Sequence, residues 1–544
     1  MRGFWTSLYF YRLMDFTATS LSYNQTGYYT NIILDYLDNA ASLRPYYQHP
    51  VSLEGIRSAI AARKKFSTDR ELLVRSLRRQ YQSLDLKEPV SRNMDLLLRG
   101  NCFTVTTAHQ PAIFTGSLYF IYKILHVIRL AEYLSGKFPE DHFVPVYYMG
   151  SEDSDLEELG KIFLDHEELT WETGQTGAVG RMQTKGLEKL VARIEGEYSI
   201  KPYGKELMDL IRSCYLQAEN IQSATFRLVD ALFARYGLVV LIPDQPELKR
   251  PMIPVFEDDL LRNVPFQIVA DSIEGLSSRY KVQANPREVN LFYLRDDLRG
   301  RIEKIKDDFL VHESNISLTE KQITEELHNH PDRFSPNVIL RGLLQETILP
   351  NIAFVGGGGE MAYWLELKDL FAHYQVPYPM LVLRNSFLII EKKWQEKLAK
   401  TGMSLPDLFK PAEELFNDLV KKESQSQLDL AKEIGEAHHY YEHVKKISAS
   451  VDPSLSQHVE ALQARALKPL KELEKKLLKA EKRKFEEQQK LVYAIKSALF
   501  PWNNLQERIE NFMPYYAEWG MKFCDILYDN SLSLEQQFII LREV

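Results

Sequence analysis

The chain has few of the residues that would announce a metal, a disulfide or a membrane. Its three cysteines, Cys102, Cys214 and Cys524, stand far apart with no CxxC pair, which excludes a zinc ribbon and offers no disulfide framework. Each reads as a small buried hydrophobe. No apolar run is long enough to span a bilayer. Positive charge is not in excess either: 67 Lys and Arg against 75 Asp and Glu give a formal net charge of −8, so nucleic acid is not an expected partner. Arg12 interrupts the short aromatic run of the opening MRGFWTSLYFYRLM, and no small-residue cleavage pattern follows. A cytoplasmic location is expected, with Met1 or Met14 as initiator.

What the chain does have is apolar and aromatic content, 45% and 11% of its 544 residues, enough for a large core with appendages. Residues 1–99 read as a helical leader, with Leu72, Leu73, Leu77, Tyr81 and Leu84 at helical spacing. From Phe103 the pattern changes to short continuous apolar runs, FTVTT, FVPVYYM, LVVLI, IAFV and MLVL, separated by helical stretches. Such runs are strands buried on both faces, so the expected fold class is α/β, a Rossmann-like doubly wound parallel sheet. Its parts would be 100–163, 225–250 and 336–398, interrupted by insertions at 164–224 and 251–335. Residues 399–500 carry heptad-like leucines on both sides of Asp452-Pro453, which predicts an antiparallel coiled-coil hairpin with a kink at Pro469 and a role in homodimerisation. Residues 501–544 are expected to fold back on the core.

In an open parallel sheet, ligands bind beyond the carboxyl ends of the strands, and the loops there hold polar residue types. After the first strand come His109 and Gln110, a candidate proton acceptor and its neighbour, then Thr115-Gly116 at a helix start and Lys123 within that helix. The second loop holds Glu152, Asp153 and Asp155, which suit a magnesium ion, a substrate amine and sugar hydroxyls, or simple helix capping. Asp244 follows the third strand. The fourth leads into Gly356, Gly357, Gly358 and Gly359, where glycine permits positive φ and close ligand approach. This turn is neither a Gly-Lys-Ser/Thr phosphate loop nor a G-x-G-x-x-G turn. Glu360, Tyr363 and Trp364 follow as a pocket wall. Arg341 and Arg384 are candidate carboxylate clamps, and Ser386 closes the set.

HQPAIFTGSLYFIYK, PVYYMGSEDSDLEE, FSPNVILRGLLQETILPNIAFVGGGGEMAYWLELKDLF and LRNSF together resemble, in order and spacing, the bacillithiol biosynthesis cysteine-adding family (BshC). The resemblance implies a Rossmann-like core with two connective-peptide insertions, a dimerising coiled coil, and a ligase that joins the carboxyl of cysteine to the amine of glucosaminyl malate. It implies that the residues just named, apart from Asp244, Arg341 and Gly358, line one pocket. An activated cysteine is chemically expected, with ATP or another nucleotide and Mg as the activating class. Ser151, Ser154, His109 and Gly358 depart from the family pattern, and no His-Ile-Gly-His or Lys-Met-Ser-Lys-Ser motif is present. A glycosyl or nucleotidyl transferase on the same sheet, or a non-catalytic coiled-coil scaffold, are the rival readings.

Overall fold

The computed structural model describes residues 16–165 and 167–544; the two initiator positions, Met1 and Met14, lie outside the described residues. Five of the apolar runs form strands: β1 (Cys102–His109), β2 (His142–Met149), β3 (Val239–Leu241), β4 (Asn351–Gly356) and β5 (Met380–Leu383). They pair in the order β5-β4-β1-β2-β3, every pair parallel. All residues of β1 and β4 are buried, as continuous apolar strands require when helices cover both faces. The chain winds outward from β1 to β3, then returns to the other side of β1 for β4 and β5. The loops leaving β1 and β4 therefore diverge, and a crevice opens between them at the switch point of a doubly wound sheet.

Three helices border that crevice: α1 (Tyr119–Lys137), α2 (Val338–Ile348) and α3 (Gly358–Leu365). α1 is buried through Phe120, Ile121, Ile124, Leu125 and Ile128, its apolar residues recurring at helical spacing. Beyond the helix Val264–Ser277, an antiparallel five-stranded sheet forms between Leu291 and Pro336, and its last strand, Phe334–Pro336, leads directly into α2.

The leader differs from its expectation. Its first described element is a strand, Phe16–Leu21, which pairs antiparallel with Phe538–Glu543; that strand in turn runs parallel to Ser386–Ile390. Helical periodicity begins only after it, and a strand whose partner lies at the other end of the chain leaves no local signal. In the hairpin, α4 (Ala431–Val451) and α5 (Leu455–Lys482) run antiparallel, with Lys445 paired to Glu460 and the Gln463 amide donating to the His438 carbonyl. Pro469 lies inside α5, which continues for 28 residues. No helix of the described residues is long and apolar enough to cross a membrane.

The leader is tied to the sheet by a buried polar knot. Arg63 donates to the carbonyls of Asn351 and Glu346, both at 2.8 Å, and to the Glu346 carboxylate at 2.7 Å. Asn351 in turn donates to Glu346 at 2.7 Å and accepts from Thr104 and Thr106 of β1. Burial pushes the Glu346 carboxyl up to about 7, against the pull of Arg63. Truncating one partner of such a pair leaves an uncompensated charge in the interior. Arg63→Ala is expected to cost about 3–5 kcal/mol in denaturant unfolding, whereas Arg57→Ala, at an exposed helical pair, costs less than about 1 kcal/mol.

Candidate functional site

The crevice between the ends of β1 and β4 is a cavity of about 340 Å³, within the size range of small-molecule sites. β1 contributes His109 and Gln110. Gly357 follows β4 as the cap of α3, and α3 adds Gly358, Gly359, Glu360 and Tyr363. Arg341 enters from α2, Arg384 from the end of β5 and Asp153 from the loop after β2. Ten of the residues singled out in the sequence therefore share one cavity.

The four glycines do not act through conformation. None of them has a positive φ. A Cβ on Gly356 would come within 2.8 Å of the Phe354 ring, whereas on Gly357, Gly358 or Gly359 it would make ordinary contacts at 3.5 Å or more. Their small size keeps the cavity wall low. The start of α3 is also taken up internally: Glu360 Oε2 accepts from the Gly357 N–H at 2.8 Å and from Lys123 Nζ at 2.6 Å. Lys123 further donates to the Ala108 carbonyl, bracing β1 against α3. Burial pushes the Glu360 carboxyl up, but Lys123 and the Gly357 N–H more than offset this and hold it below the usual carboxylate range. An anionic side chain capping its own helix repels a phosphate, so this turn does not fit one.

His109 is engaged at both nitrogens. Nδ1 donates to the Gln110 carbonyl at 2.8 Å, so Nε2 is unprotonated and accepts from the Tyr119 hydroxyl at 3.0 Å. Burial, then the charge of Lys123, lowers its pKa to about 4. The imidazole is thus neutral and a weak base, unlike the proton acceptor expected from sequence. It orients Tyr119, a cavity-lining residue.

Several expected site residues lie elsewhere. Glu152 is buried against Lys249 and reaches only a narrow recess of about 30 Å³ behind Asp153. Asp155 is exposed and caps a short helix by accepting from the Glu158 N–H at 3.0 Å. Asp244 makes a two-pronged pair with Arg181, both contacts 2.7 Å. Gly356 is a buried strand end, and Lys123 stands behind the wall. Trp364 is core, stacked on Phe354 at 4.6 Å, because the helical turn that puts Tyr363 in the cavity points the next residue inward. Ser386 lies beneath Arg384, accepting from it at 3.1 Å. Thr115 and Gly116 belong to a turn with φ of 71° and 66° that docks another part of the chain: Asn511 donates to the Phe114 and Gly116 carbonyls, and Leu118 N–H to the Glu510 carbonyl at 2.7 Å. Among the described residues no three His, Cys, Asp or Glu side chains converge to hold a metal, since the acidic loop sends its members in different directions.

The cavity also holds residues the sequence did not single out: Tyr119, Glu158, Arg299, Asn337 and Arg508. Tyr119 and Glu158 follow the marked loops by a turn of helix and could have been read from that spacing. Arg299 comes from the inserted sheet and Arg508 from the C-terminal segment, and neither carries a local signal. Burial, then Asp155 and Asp153, raises the Glu158 carboxyl above its ordinary range. Arg299 and Gln110 keep Asp153 ionised against its burial. The three cysteines are buried away from the cavity, and burial raises their thiols to about 11 or 12, so none is an activated nucleophile.

The N-terminal Rossmann-like domain of bacillithiol biosynthesis BshC matches residues 14–385, and the C-terminal coiled-coil domain of the same family matches residues 387–543. A protein of Flavobacterium johnsoniae named "Putative cysteine ligase BshC" is 39% identical over 96% of this chain and 99% of its own length. Proteins of the same name from Flavobacterium psychrophilum and Christiangramia forsetii are each 37% identical over 96% of this chain, covering 99% and 98% of their own lengths.

If size rather than conformation explains the glycines, Gly358→Ala leaves the melting temperature unchanged within error, while Gly356→Ala, forced against Phe354, destabilises by about 1–3 kcal/mol. Thermal unfolding of the two variants in parallel checks this.

Proposed function

The chain belongs to the bacillithiol biosynthesis BshC family, and from that membership and the cavity's charge pattern we propose that it is a cysteine ligase, joining the carboxyl of L-cysteine to the amine of glucosaminyl malate in the last step of bacillithiol biosynthesis. The observation that carries the reading is that one small cavity is lined both by carboxylates, Asp153 and Glu158, and by the guanidinium of Arg341. An amino-sugar acid carries both complements. The carboxylates meet the ammonium, and Arg341, whose side chain among the described residues hydrogen-bonds only to the neutral Tyr363 hydroxyl, meets a carboxylate.

An ammonium is no nucleophile, so the amine must lose a proton before it attacks the acyl carbon of an activated cysteine. The new C–N bond forms as the activating group leaves with the electron pair of the broken C–O bond. Glu158, unpaired and with raised proton affinity, takes that proton, and the second N–H proton, lost once the C–N bond has formed, passes to solvent at the mouth of the cavity. Tyr119, its hydroxyl proton directed at His109, turns an oxygen lone pair to the cavity and orients the amine. Forming an amide from a free carboxylate in water is uphill, so an activating co-substrate is required; ATP or another nucleotide with Mg is the proposed class. We place the enzyme in the cytoplasm as a homodimer. The apolar residues that α4 and α5 leave exposed, among them Tyr440, Ile447, Val451 and Leu462, supply the dimer seam, which sedimentation tests.

Incubation with glucosaminyl malate, cysteine and ATP or another nucleoside triphosphate with Mg is expected to yield bacillithiol by mass. No product under any nucleotide, or with a pre-activated cysteine, overturns the ligase reading. Glu158→Gln is expected to lower kcat by about 10²-fold. Because the Glu158 pKa is raised, wild-type activity falls as pH drops through a midpoint above the ordinary carboxylate range, where the carboxylate becomes protonated. That acidic limb is absent in Glu158→Gln.

A further inference from the structure

We infer that Arg508, supplied by the C-terminal segment, is a specificity-determining residue of the cleft that binds the second carboxylate of a dicarboxylate acceptor; the acceptor's identity rests on the ligase reading above. Four arginines line the cavity. Arg384 is neutralised by Glu507 at 2.7 Å, and Arg299 lies 3.8 Å from Asp153. Among the acids, Glu360 is neutralised by Lys123. What remains without an ion pair among the described residues is two guanidinium groups, Arg341 and Arg508, and one carboxylate, Glu158. One ammonium and two carboxylates on the ligand would complement this set. Glucosaminyl malate carries those charges.

The side chain of Arg508 has no ion-pair or hydrogen-bond partner among the described residues, yet its backbone is fixed on both sides. The preceding Glu507 is buried and accepts from Arg384, from the Ser386 hydroxyl at 3.1 Å and from the Phe387 N–H at 3.2 Å. The Arg508 carbonyl accepts from the Ser117 hydroxyl at 3.1 Å, and Asn511, three residues on, is held by the turn before α1. A guanidinium carried on an anchored backbone beside the cleft, with no internal acid to satisfy it, is available to a ligand anion. Arg508 is exposed, at the mouth of the cavity, so it reads the outer end of the acceptor, while Arg341, on α2, reads the inner.

A carboxylate and a phosphate both satisfy a guanidinium, and the test separates them. Initial rates with glucosaminyl malate are compared with those for glucosaminyl lactate, which lacks one carboxylate, in wild type, Arg508→Ala and Arg508→Lys. Wild type is expected to prefer the malate conjugate by about tenfold or more in kcat/KM, the difference lying in KM. Arg508→Ala abolishes the preference with kcat unchanged, and Arg508→Lys retains part of it. Calorimetry with malate alone, which needs no turnover, shows affinity falling about tenfold in Arg508→Ala, while inorganic pyrophosphate binds as to wild type. An unchanged preference in Arg508→Ala, or loss of pyrophosphate rather than malate affinity, overturns the assignment. If Arg508→Ala does not fold, an unchanged preference in Arg508→Lys overturns it equally. Wild type that binds malate through Arg508 yet makes no product overturns the ligase reading and leaves the receptor standing.

Discussion

Arg384 follows β5, and Glu507 belongs to a segment the chain reaches only after the helical hairpin. Their ion pair is wholly buried, with the carboxylate also accepting from Ser386 and Phe387. Burial alone would destabilise the charged guanidinium; Glu507 reverses this and holds the Arg384 pKa above its ordinary value. A pair this enclosed adds little net stability relative to an apolar replacement, but removing one partner is severe. The value of the contact lies in placement. It sets the C-terminal segment against the mouth of the cleft, and it spends the charge of Arg384 internally. The guanidinium then lines the cavity, stacked 5.2 Å over Tyr119, as a fixed wall rather than an open anion site.

The same logic governs the other side of the crevice. Lys123 and Glu360 neutralise each other between β1 and α3, and His109 is held neutral by burial and by Lys123. Three residue types that suggest catalysis therefore act as structure here. The groups left with unspent charge or proton affinity, Arg341, Glu158 and Arg508, are fewer and less conspicuous in sequence. Chemistry in this cavity is best sought where internal partners are missing.

This explains how far the fold and the site were legible beforehand. The β1, β2, β4 and β5 runs are continuous and apolar, and burial on both faces leaves them no other reading, so the doubly wound sheet and the position of its crevice followed from local patterns. The terminal strand Phe16–Leu21 did not, because what makes it a strand is a partner more than 500 residues away. Within the site, loop membership was readable but side-chain direction was not. Asp153 turns to the cavity while Glu152 and Asp155 turn away, and Tyr363 faces it while Trp364 is core. Those choices depend on Lys249, on a helix cap and on Phe354, none of which announces its neighbour in sequence. Arg299 and Arg508 arrive from an insertion and from the tail, where only tertiary structure connects them to the cleft.

The docking of residues 506–511 on the strained turn at Phe114–Gly116 has a consequence for synthesis. The sheet is complete once β5 has left the ribosome, and a nascent chain can then bury its core. The wall carrying Glu507 and Arg508 emerges only after the whole hairpin has been made, and until it docks, Arg384 and the carbonyls of Phe114 and Gly116 have lost their partners. The cleft is therefore assembled late, by contacts between residues 123 and 397 positions apart in the chain, and a polypeptide halted within the hairpin is folded at its centre but has no finished site.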